Sequence, residues 1–348
     1  MGNAALSAPL RPLALPRLDP NRKRIERIGN MALVVVPDDF PMIFSDTQPH
    51  ETLKRCAEVQ TYTQKASSPE ELIQRLKGAQ VAINIRAYSK FTEPLLRACP
   101  VLKMISVLGI GTDNIDLPAA SRMGIKITNT PGYSAIAVAE HALALMLAVA
   151  RKIPQHQQEL KAGRWTRISM IQLHGKTLGI IGFGSIGRQM ASLGKGIGME
   201  VLAWTFHPDR ERASQAGIEF LPLKELLSRS DVISIHIRAS EKTRHLLDQE
   251  AFERVKPSCI LINTARASVV DTQALIAALR AGRLAAAGLD VYDQEPLTSD
   301  DPLLSLANVV LSPHNSGMTP EAIQRGNEMV VENVVAFLEG RLINEVKA

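Results

Sequence analysis

Leu178-Gly-Ile-Ile-Gly182-Phe-Gly184-Ser185-Ile186-Gly187 is the stretch on which the fold turns. An apolar run enters the glycines as a buried strand, and Ile186-Gly187-Arg188-Gln189-Met190-Ala191 leaves them with a helical pattern. Gly182 permits the tight turn, Gly184 lets backbone approach a pyrophosphate, and Gly187 allows close helix–strand packing. The helix start would offer its free N–H groups to phosphate. Glycines alone are weak evidence, because they are common in turns. Strand before and helix after make the loop a candidate dinucleotide site.

Working outward, short apolar runs alternate with helical patterns on both sides of that loop, as parallel sheets with covering helices require. Downstream and around it, strands are expected at Leu178–Gly182, Glu200–Thr205, Val232–Ile237, Cys259–Asn263, Ala286–Asp290 and Val309–Ser312. Six strands with intervening helices suffice for a dinucleotide-binding sheet. Upstream, strands are expected at Leu33–Val36, Val81–Ile85, Leu102–Val107 and Lys126–Asn129, with helices at Pro49–Ala57, Pro69–Leu76 and Pro94–Ala98. Tyr133–Arg151 reads as a long apolar helix, a strut between domains, followed by a polar stretch from Gln155 to Trp165. A last helix, Pro320–Glu339, lies beyond the second sheet and is expected to return to the first domain. The fold class is therefore α/β, with two Rossmann-like domains built on doubly wound parallel sheets. The flavodoxin-like substrate domain would be discontinuous, residues 31–131 plus 319–348. The Rossmann domain binding NAD(P) would span 132–318. Two chain crossings, near 131 and 319, make hinge closure over the cleft an expectation.

Composition removes other classes. The 348 residues are 45% apolar and 22% charged, which suits a globular protein. No apolar run approaches the roughly 18 residues that would span a membrane; the longest, Ala135 to Ala150, is broken by Glu140 and His141. The net charge of +5 is mostly local: residues 1–30 hold six Lys/Arg against Asp19 and Glu26, which is four of the five charges. No case for nucleic-acid binding follows. Residues 1–30 read as a disordered extension; four prolines oppose the amphipathic helix of a transit peptide, and Leu6 stands where a myristoylation signal wants Ser or Thr. Cys56, Cys99 and Cys259 form no C-x-x-C pair and no metal-ligand spacing, so no metal site is expected. Reduced thiols fit a cytoplasmic location.

Cofactor choice stays open. An NAD site wants Asp or Glu at the end of the second strand, about 20 residues past the glycines, to hold the ribose 2′-hydroxyl. Here Val201-Leu-Ala-Trp204-Thr205-Phe-His207-Pro-Asp-Arg210 puts Thr205 at that place. A 2′-phosphate would not be repelled, and Thr205, His207 or Arg210 could meet it; Asp209 could instead swing back. Both NAD(H) and NADP(H) are admitted, with a lean towards NADP being accepted.

Three polar residues follow later strands: Arg266 in Ile262-Asn-Thr264-Ala265-Arg266, Glu295 in Asp290-Val-Tyr-Asp-Gln-Glu295-Pro, and His314 in Leu311-Ser-Pro-His314-Asn. Arg266 offers a planar fork for a carboxylate and can polarise an adjacent carbonyl. His314 can give a proton to that carbonyl oxygen as hydride arrives, and take it back in the other direction. Glu295 would bond the other ring nitrogen, orient the imidazole and favour its protonated form. Hydride transfer between a nicotinamide and a small 2-oxo or 2-hydroxy acid follows from this set. His141, on the apolar helix, reads as a core or interface histidine, whereas His236 sits near a strand end beside the cofactor cleft.

These motifs resemble the D-isomer-specific 2-hydroxyacid dehydrogenase family, which includes phosphoglycerate, glycerate, hydroxypyruvate and D-lactate dehydrogenases. The resemblance covers about residues 31–341. It rests on Leu108-Gly-Ile-Gly-Thr-Asp-Asn-Ile-Asp116, Asn129-Thr-Pro-Gly132, Ala139-Glu-His141, the glycine loop, and the Arg266, Asp290–Pro296 and Ser312–His314 segments, in that order. It implies Arg266, Glu295 and His314 as the catalytic set. It also implies that Ser185 and Ile186 meet the pyrophosphate and that Thr264, Ala265 and Asp290 meet the nicotinamide end. Trp204, Thr205 and His236 complete the cofactor set, which Arg266 and His314 adjoin. Backbone N–H groups of Arg86-Ala87 and Gly109-Ile110 would hold the substrate carboxylate. Departures are Ala267 for a common Gly, Arg238 for a usual Pro, and Asn315 for an apolar residue. A homodimer is expected by resemblance only. The chain ends soon after the last helix, so no regulatory domain like that of long phosphoglycerate dehydrogenases is expected. Glyoxylate, hydroxypyruvate and bulkier 2-oxo acids all remain possible substrates. Two other readings compete: a non-catalytic NAD(H)-sensing corepressor, and an enzyme acting on formate or phosphite. The intact Arg/Glu/His set favours an enzyme, and Glu295 argues against formate.

Overall fold

A computed structural model describes residues 31–85 and 88–346. Residues 1–30, the Arg86-Ala87 pair and the last two residues lie outside the described set, and with them the N-terminal extension and one expected substrate loop.

The first sheet is five-stranded and parallel: β1 (Leu33–Val36), β2 (Glu58–Thr61), β3 (Val81–Asn84), β4 (Met104–Val107) and β5 (Lys126–Thr128), in the order β2-β1-β3-β4-β5. That is the flavodoxin-like order. Its crossovers carry α1 (Gln48–Lys54), α2 (Pro69–Leu76), α3 (Glu93–Ala98) and α4 (Leu117–Arg122). β1, β3 and β4 are buried almost throughout and are mostly apolar, with Asn84 and Ser106 the polar exceptions. β2, Glu-Val-Gln-Thr, was not expected; it is an edge strand with no fully buried residue, and its polar composition hides it.

Two helices follow: α5 (Ala135–Ala150) and α6 (Ile153–Lys161). The polar stretch around Gln155 is thus largely helical. Pro154 suits the first turn, but no α6 residue is buried, so no apolar stripe betrays it.

The second sheet is also all-parallel: β6 (Thr177–Ile181), β7 (Glu200–Trp204), β8 (Glu219–Phe220), β9 (Val232–Ile235), β10 (Ile260–Asn263), β11 (Ala286–Leu289) and β12 (Val309–Leu311). Its order is β12-β11-β10-β9-β6-β7-β8, seven strands rather than the six expected. β8 is two residues long, too short for any periodicity to show. The helices α7 (Ser185–Gly196), α8 (Arg210–Ala216), α9 (Leu223–Arg229), α10 (Gln249–Arg254) and α11 (Thr272–Arg280) cover it, α5 packing against α7, β10 and β11. Strand order reverses at β6, between β7 and β9, which is where an open α/β sheet binds its ligand.

The last helix, α12 (Pro320–Leu338), starts on Thr319, whose hydroxyl accepts from the Ala322 N–H. Its Val330, Val331 and Val334 pack into the core that Val34, Val36 and Met104 form in the first sheet. Asn327 Nδ2 donates to the Ile43 carbonyl at 2.7 Å, and buried Asn333 donates to the Asn129 carbonyl at 2.9 Å. Among the described residues, no helix is long and apolar enough to cross a membrane. All three cysteines are unpaired; burial pushes the Cys259 thiol up to about 12, which keeps it inert.

Candidate active site

Register builds the site. Across the second sheet, Leu311 pairs with Leu289, Leu289 with Asn263, Asn263 with Ile235, Ile235 with Ile181, and Ile181 with Trp204. The next residue on each strand therefore lies in one row along the carboxyl edge: Ser312, Asp290, Thr264, His236, Gly182 and Thr205. Most of the residues singled out from sequence come from this row or the few positions after it.

At the middle of the row lies the glycine loop. Gly182 has φ +95°, and a Cβ there would sit 2.7 Å from the His236 carbonyl carbon. A Cβ at Gly187 would collide with the Gly182 carbonyl. Both positions need glycine. Gly184, by contrast, faces open space, and no side chain caps α7, which begins after it. The first-turn N–H groups are left for another acceptor. Two polar atoms further along the row, Thr264 Oγ1 and His236 Nδ1, are buried with no hydrogen-bond partner among the described residues. An uncapped helix start, an open glycine and two orphaned polar atoms fit a polar, phosphate-bearing ligand laid along the edge. His236 bonds Ser234 Oγ through Nε2 at 2.8 Å, and burial pushes its pKa down to about 3, so its ring is neutral. Trp204 packs edge-on to Phe206 beside Thr205. Asp209 does not swing back to the ribose position: it caps α8, accepting from the Arg212 N–H at 2.8 Å.

The catalytic candidates gather at the other end of the row. His314 Nδ1 lies 2.7 Å from Glu295 Oε2, and both side chains are about two-fifths exposed. Glu295 is held in turn by the Tyr292 N–H, 3.0 Å from Oε1. Partial burial works to raise the Glu295 pKa; the imidazole, the Tyr292 N–H and the Arg266 charge outweigh it and hold the carboxyl below its usual range. Tyr292 anchors the loop, its hydroxyl 2.7 Å from the Ser312 carbonyl and 3.0 Å from that of Leu289. Burial pushes that phenol up to about 12, so it stays a donor.

Asp290 is fully buried. Its Oδ1 accepts from Ser312 Oγ at 2.6 Å and the Asn315 N–H at 3.1 Å, and its Oδ2 accepts from the Ser316 N–H at 3.0 Å. Whatever it offers a nicotinamide, it ties down the turn that carries His314. That turn is unusual: His314 has φ +49°, a left-handed conformation uncommon for a non-glycine residue.

Arg266 leaves β10 through a turn clamped by Asn263, which accepts from the Ala265 N–H and donates to the Arg266 carbonyl, both at 3.0 Å. Its guanidinium donates to the Ala265 carbonyl and lies 3.3 Å from Asp113 Oδ2, on the loop after β4. A Cβ at Gly111 would collide with that guanidinium. The first-sheet loop is thus brought against Arg266. Within it, the Gly109 N–H donates to Thr130 Oγ1 at 2.8 Å, and the Ile110 carbonyl accepts from Asn129 at 3.1 Å. In this structure the Gly109 N–H, expected to face a substrate carboxylate, is therefore engaged within the protein. Arg86 and Ala87 lie outside the described residues.

Asp113, Ser312, Tyr292 and Asn263 were not singled out from sequence. All four stand inside segments that were, at strand ends, so their polarity beside an expected site was the available signal.

The D-isomer-specific 2-hydroxyacid dehydrogenase NAD-binding domain profile matches residues 143–316. The chain is 42% identical to a D-3-phosphoglycerate dehydrogenase from Archaeoglobus fulgidus over 78% of its own length, but spans only 52% of that longer protein. It is 38% identical to a glyoxylate reductase from Korarchaeum cryptofilum, over 79% of this chain and 84% of that one. Among solved structures, an acyclic imino acid reductase in complex with NADPH and D-Arg superposes with a TM-score of 0.82 at 28% identity, covering 90% of this chain and all of that one. With two parallel α/β domains, a dinucleotide loop at the strand-order switch and this match across its body, the chain belongs to the D-isomer-specific 2-hydroxyacid dehydrogenase family of NAD(P)-dependent oxidoreductases acting on CH–OH groups.

Proposed function

We propose that this protein is a D-2-hydroxyacid dehydrogenase working as a 2-oxo acid reductase. The observation that carries the reading is the 2.7 Å His314–Glu295 pair. A carboxylate on Nδ1 fixes the tautomer and leaves Nε2 to hold a proton. Arg266 binds the substrate carboxylate with one arm of its fork and polarises the 2-oxo group with the other. A nicotinamide, when bound, supplies the hydride or takes it up. As the carbonyl oxygen gains charge, His314 Nε2 delivers its proton there, and Glu295 stabilises the imidazolium that precedes transfer. In the oxidative direction the same nitrogen removes the hydroxyl proton. The glycine loop and the α7 start would hold the dinucleotide phosphates. The working division is a substrate domain of residues 31–131 and 319–348 on a cofactor domain of 132–318.

We infer that NADPH is accepted at least as well as NADH. Thr205 leaves the ribose end without a carboxylate, Asp209 is engaged as a helix cap, and the Arg212 guanidinium lies 3.5 Å from the Phe183 carbonyl in the glycine loop. A cation there favours a 2′-phosphate. Pairing of two copies through α5, α6 and the segment after them is also proposed: Ile136, Leu147, Ile153, Leu160 and Met170 are exposed there, and Trp165 is 80% exposed. Sedimentation at micromolar concentration tests it, and a monomer would refute it.

Absorbance at the reduced-nicotinamide band tests the main reading. Purified protein is given NADH or NADPH with glyoxylate, hydroxypyruvate, 3-phosphohydroxypyruvate and branched or aromatic 2-oxo acids. Turnover is expected with at least one of them. Tight cofactor binding with no turnover on any acid would replace the enzyme by the sensor.

A further inference from the structure

We propose that His141, on α5, is a positioning residue for the catalytic turn. Its Nε2 lies 2.8 Å from Ser312 Oγ, and Ser312 Oγ lies 2.6 Å from Asp290 Oδ1. A hydroxyl has one proton. The short contact to a carboxylate assigns that proton to the Ser312→Asp290 bond, so the second contact is an Nε2–H donating to Ser312 Oγ. Asp290 then accepts from the backbone of Asn315 and Ser316, the two residues after His314. The relay runs from a helix to a serine, to a buried carboxylate, to the turn. It holds the backbone that follows His314, whereas Glu295 holds the ring.

The backbone is what needs holding. His314 sits at φ +49° and relaxes towards the common regions unless its neighbours forbid it. Asp290 forbids it by binding Asn315 and Ser316. Without the Ser312 hydroxyl, the Asp290 Oδ1 keeps the Asn315 N–H alone. Without His141, that hydroxyl loses its donor and is free to turn to the Leu289 carbonyl, 3.5 Å away. A buried relay with one member missing loses more than a single bond, because the remaining groups are left without partners. His141 is 27% exposed, and besides Ser312 its Nε2 faces Asp290 Oδ1 at 3.7 Å, so both members of the relay beyond it face its ring. The role depends on the reductase reading, because only a proton-donating His314 makes its aim matter.

The experiment is a set of four variants, His141→Ala, His141→Leu, His141→Gln and Ser312→Ala, with the double variant of the two alanines. A glutamine Nε2 reaches about as far as the imidazole Nε2 and donates likewise. His141→Ala is expected to lower kcat about tenfold, with KM for the 2-oxo acid and Kd for NADPH nearly unchanged. His141→Leu should be as slow, and His141→Gln should recover most of the loss. The double variant should be no slower than the slower single, as two members of one relay require. In protein labelled at histidine, the His314 ring resonances should move in the alanine variant and return in the glutamine one, whether or not any acid is turned over. Unchanged kcat and unmoved His314 resonances would overturn the proposal. So would rescue by leucine, or a double variant whose losses multiply. Shifted resonances without turnover on any acid would sink the reductase reading and leave the relay standing.

Discussion

The two sheets present their carboxyl edges to the same cleft, and they do so with the same device but different contents. On both, buried carboxylates gather backbone N–H groups. Asp290 ties down residues 312–316 on the second sheet. On the first, Asp39 accepts from the N–H groups of Ile43, Phe44 and Ser45, and Asp38 accepts from the Ser89 N–H and hydroxyl. What the fixed loops display differs. The second edge displays ionisable chemistry: His314, Glu295 and Arg266. The first displays Phe40, Met42 and Tyr88, all roughly half exposed, with Lys65 stacked 3.6 Å over the Tyr88 ring. The difference teaches a division of labour. On the proposed reading one edge moves a proton and the other is fitted by something, and among the described residues the ion pair Arg266–Asp113 joins them.

The strongest way to break that division is to remove the proton carrier. His314→Asn keeps a residue that tolerates the left-handed backbone, so the loss reports chemistry rather than folding. We expect kcat to fall by about 10²- to 10⁴-fold with the melting temperature little changed. A substitution on the first edge with an equal effect on kcat would end the comparison.

Glu295→Gln should cost less, about 10- to 100-fold in kcat, since the amide can still accept from the ring but cannot stabilise a cation. The pH dependence carries a sign. The Glu295 pKa is depressed in the folded protein below the ordinary glutamate value of about 4.5. Its contribution to stability is therefore present above that value and lost only as pH falls through the lower folded one. The difference in melting temperature between wild type and Glu295→Gln should shrink as pH falls below about 4.5. A difference that grows on acidification would contradict this.

The second edge was also the more legible in the sequence, and the reason is physical. Its residues lie a few steps past short apolar strands, and parallel register lines those strand ends up in one row across the sheet. Finding the strands therefore found the row that carries the candidate site. Side-chain roles were harder. His141 reads as a core histidine because its neighbours on α5 are apolar; only the fold brings Ser312, 171 positions away, to its ring. Asp113 sits inside a quoted motif, but its partner Arg266 is 153 positions away. β2 and β8 stayed hidden because an edge strand needs no apolar alternation and a two-residue strand has none. On the first edge no motif named Asp38 or Asp39, since two adjacent aspartates after a strand usually belong to a solvated turn.

Asp38 sharpens the comparison through stability instead of activity. It is 1% exposed, its Oδ1 has no partner among the described residues, and burial pushes its pKa up to about 6. Raised above the unfolded value, it penalises the ionised folded state. The cost is absent at low pH, appears as pH rises from about 4 to 6, and is then worth at most about 3 kcal/mol. Asp38→Asn removes it. We expect the variant to melt higher than wild type at pH 8 and to match it or fall below near pH 4. Thermal melts across that range decide, and parallel curves would show that Asp38 does not titrate there.

The smallest effect concerns the Arg266–Asp113 pair between the edges. In the proposed reductase, Arg266 must leave Asp113 to bind a substrate carboxylate, or share itself between two. Asp113 is 63% exposed, so the pair it breaks is a surface pair worth about 0.2–1 kcal/mol. Asp113→Asn keeps the shape and removes the competing charge. KM for a 2-oxo acid should therefore fall about two- to fivefold while kcat stays put, because the anchor is freed equally for ground and transition states. Added salt screens an exposed pair, so the gap between wild type and variant should narrow at high ionic strength. A raised KM would mean the reverse: that Asp113 aims the guanidinium at the substrate, and that the first edge takes part in the chemistry it was thought only to frame.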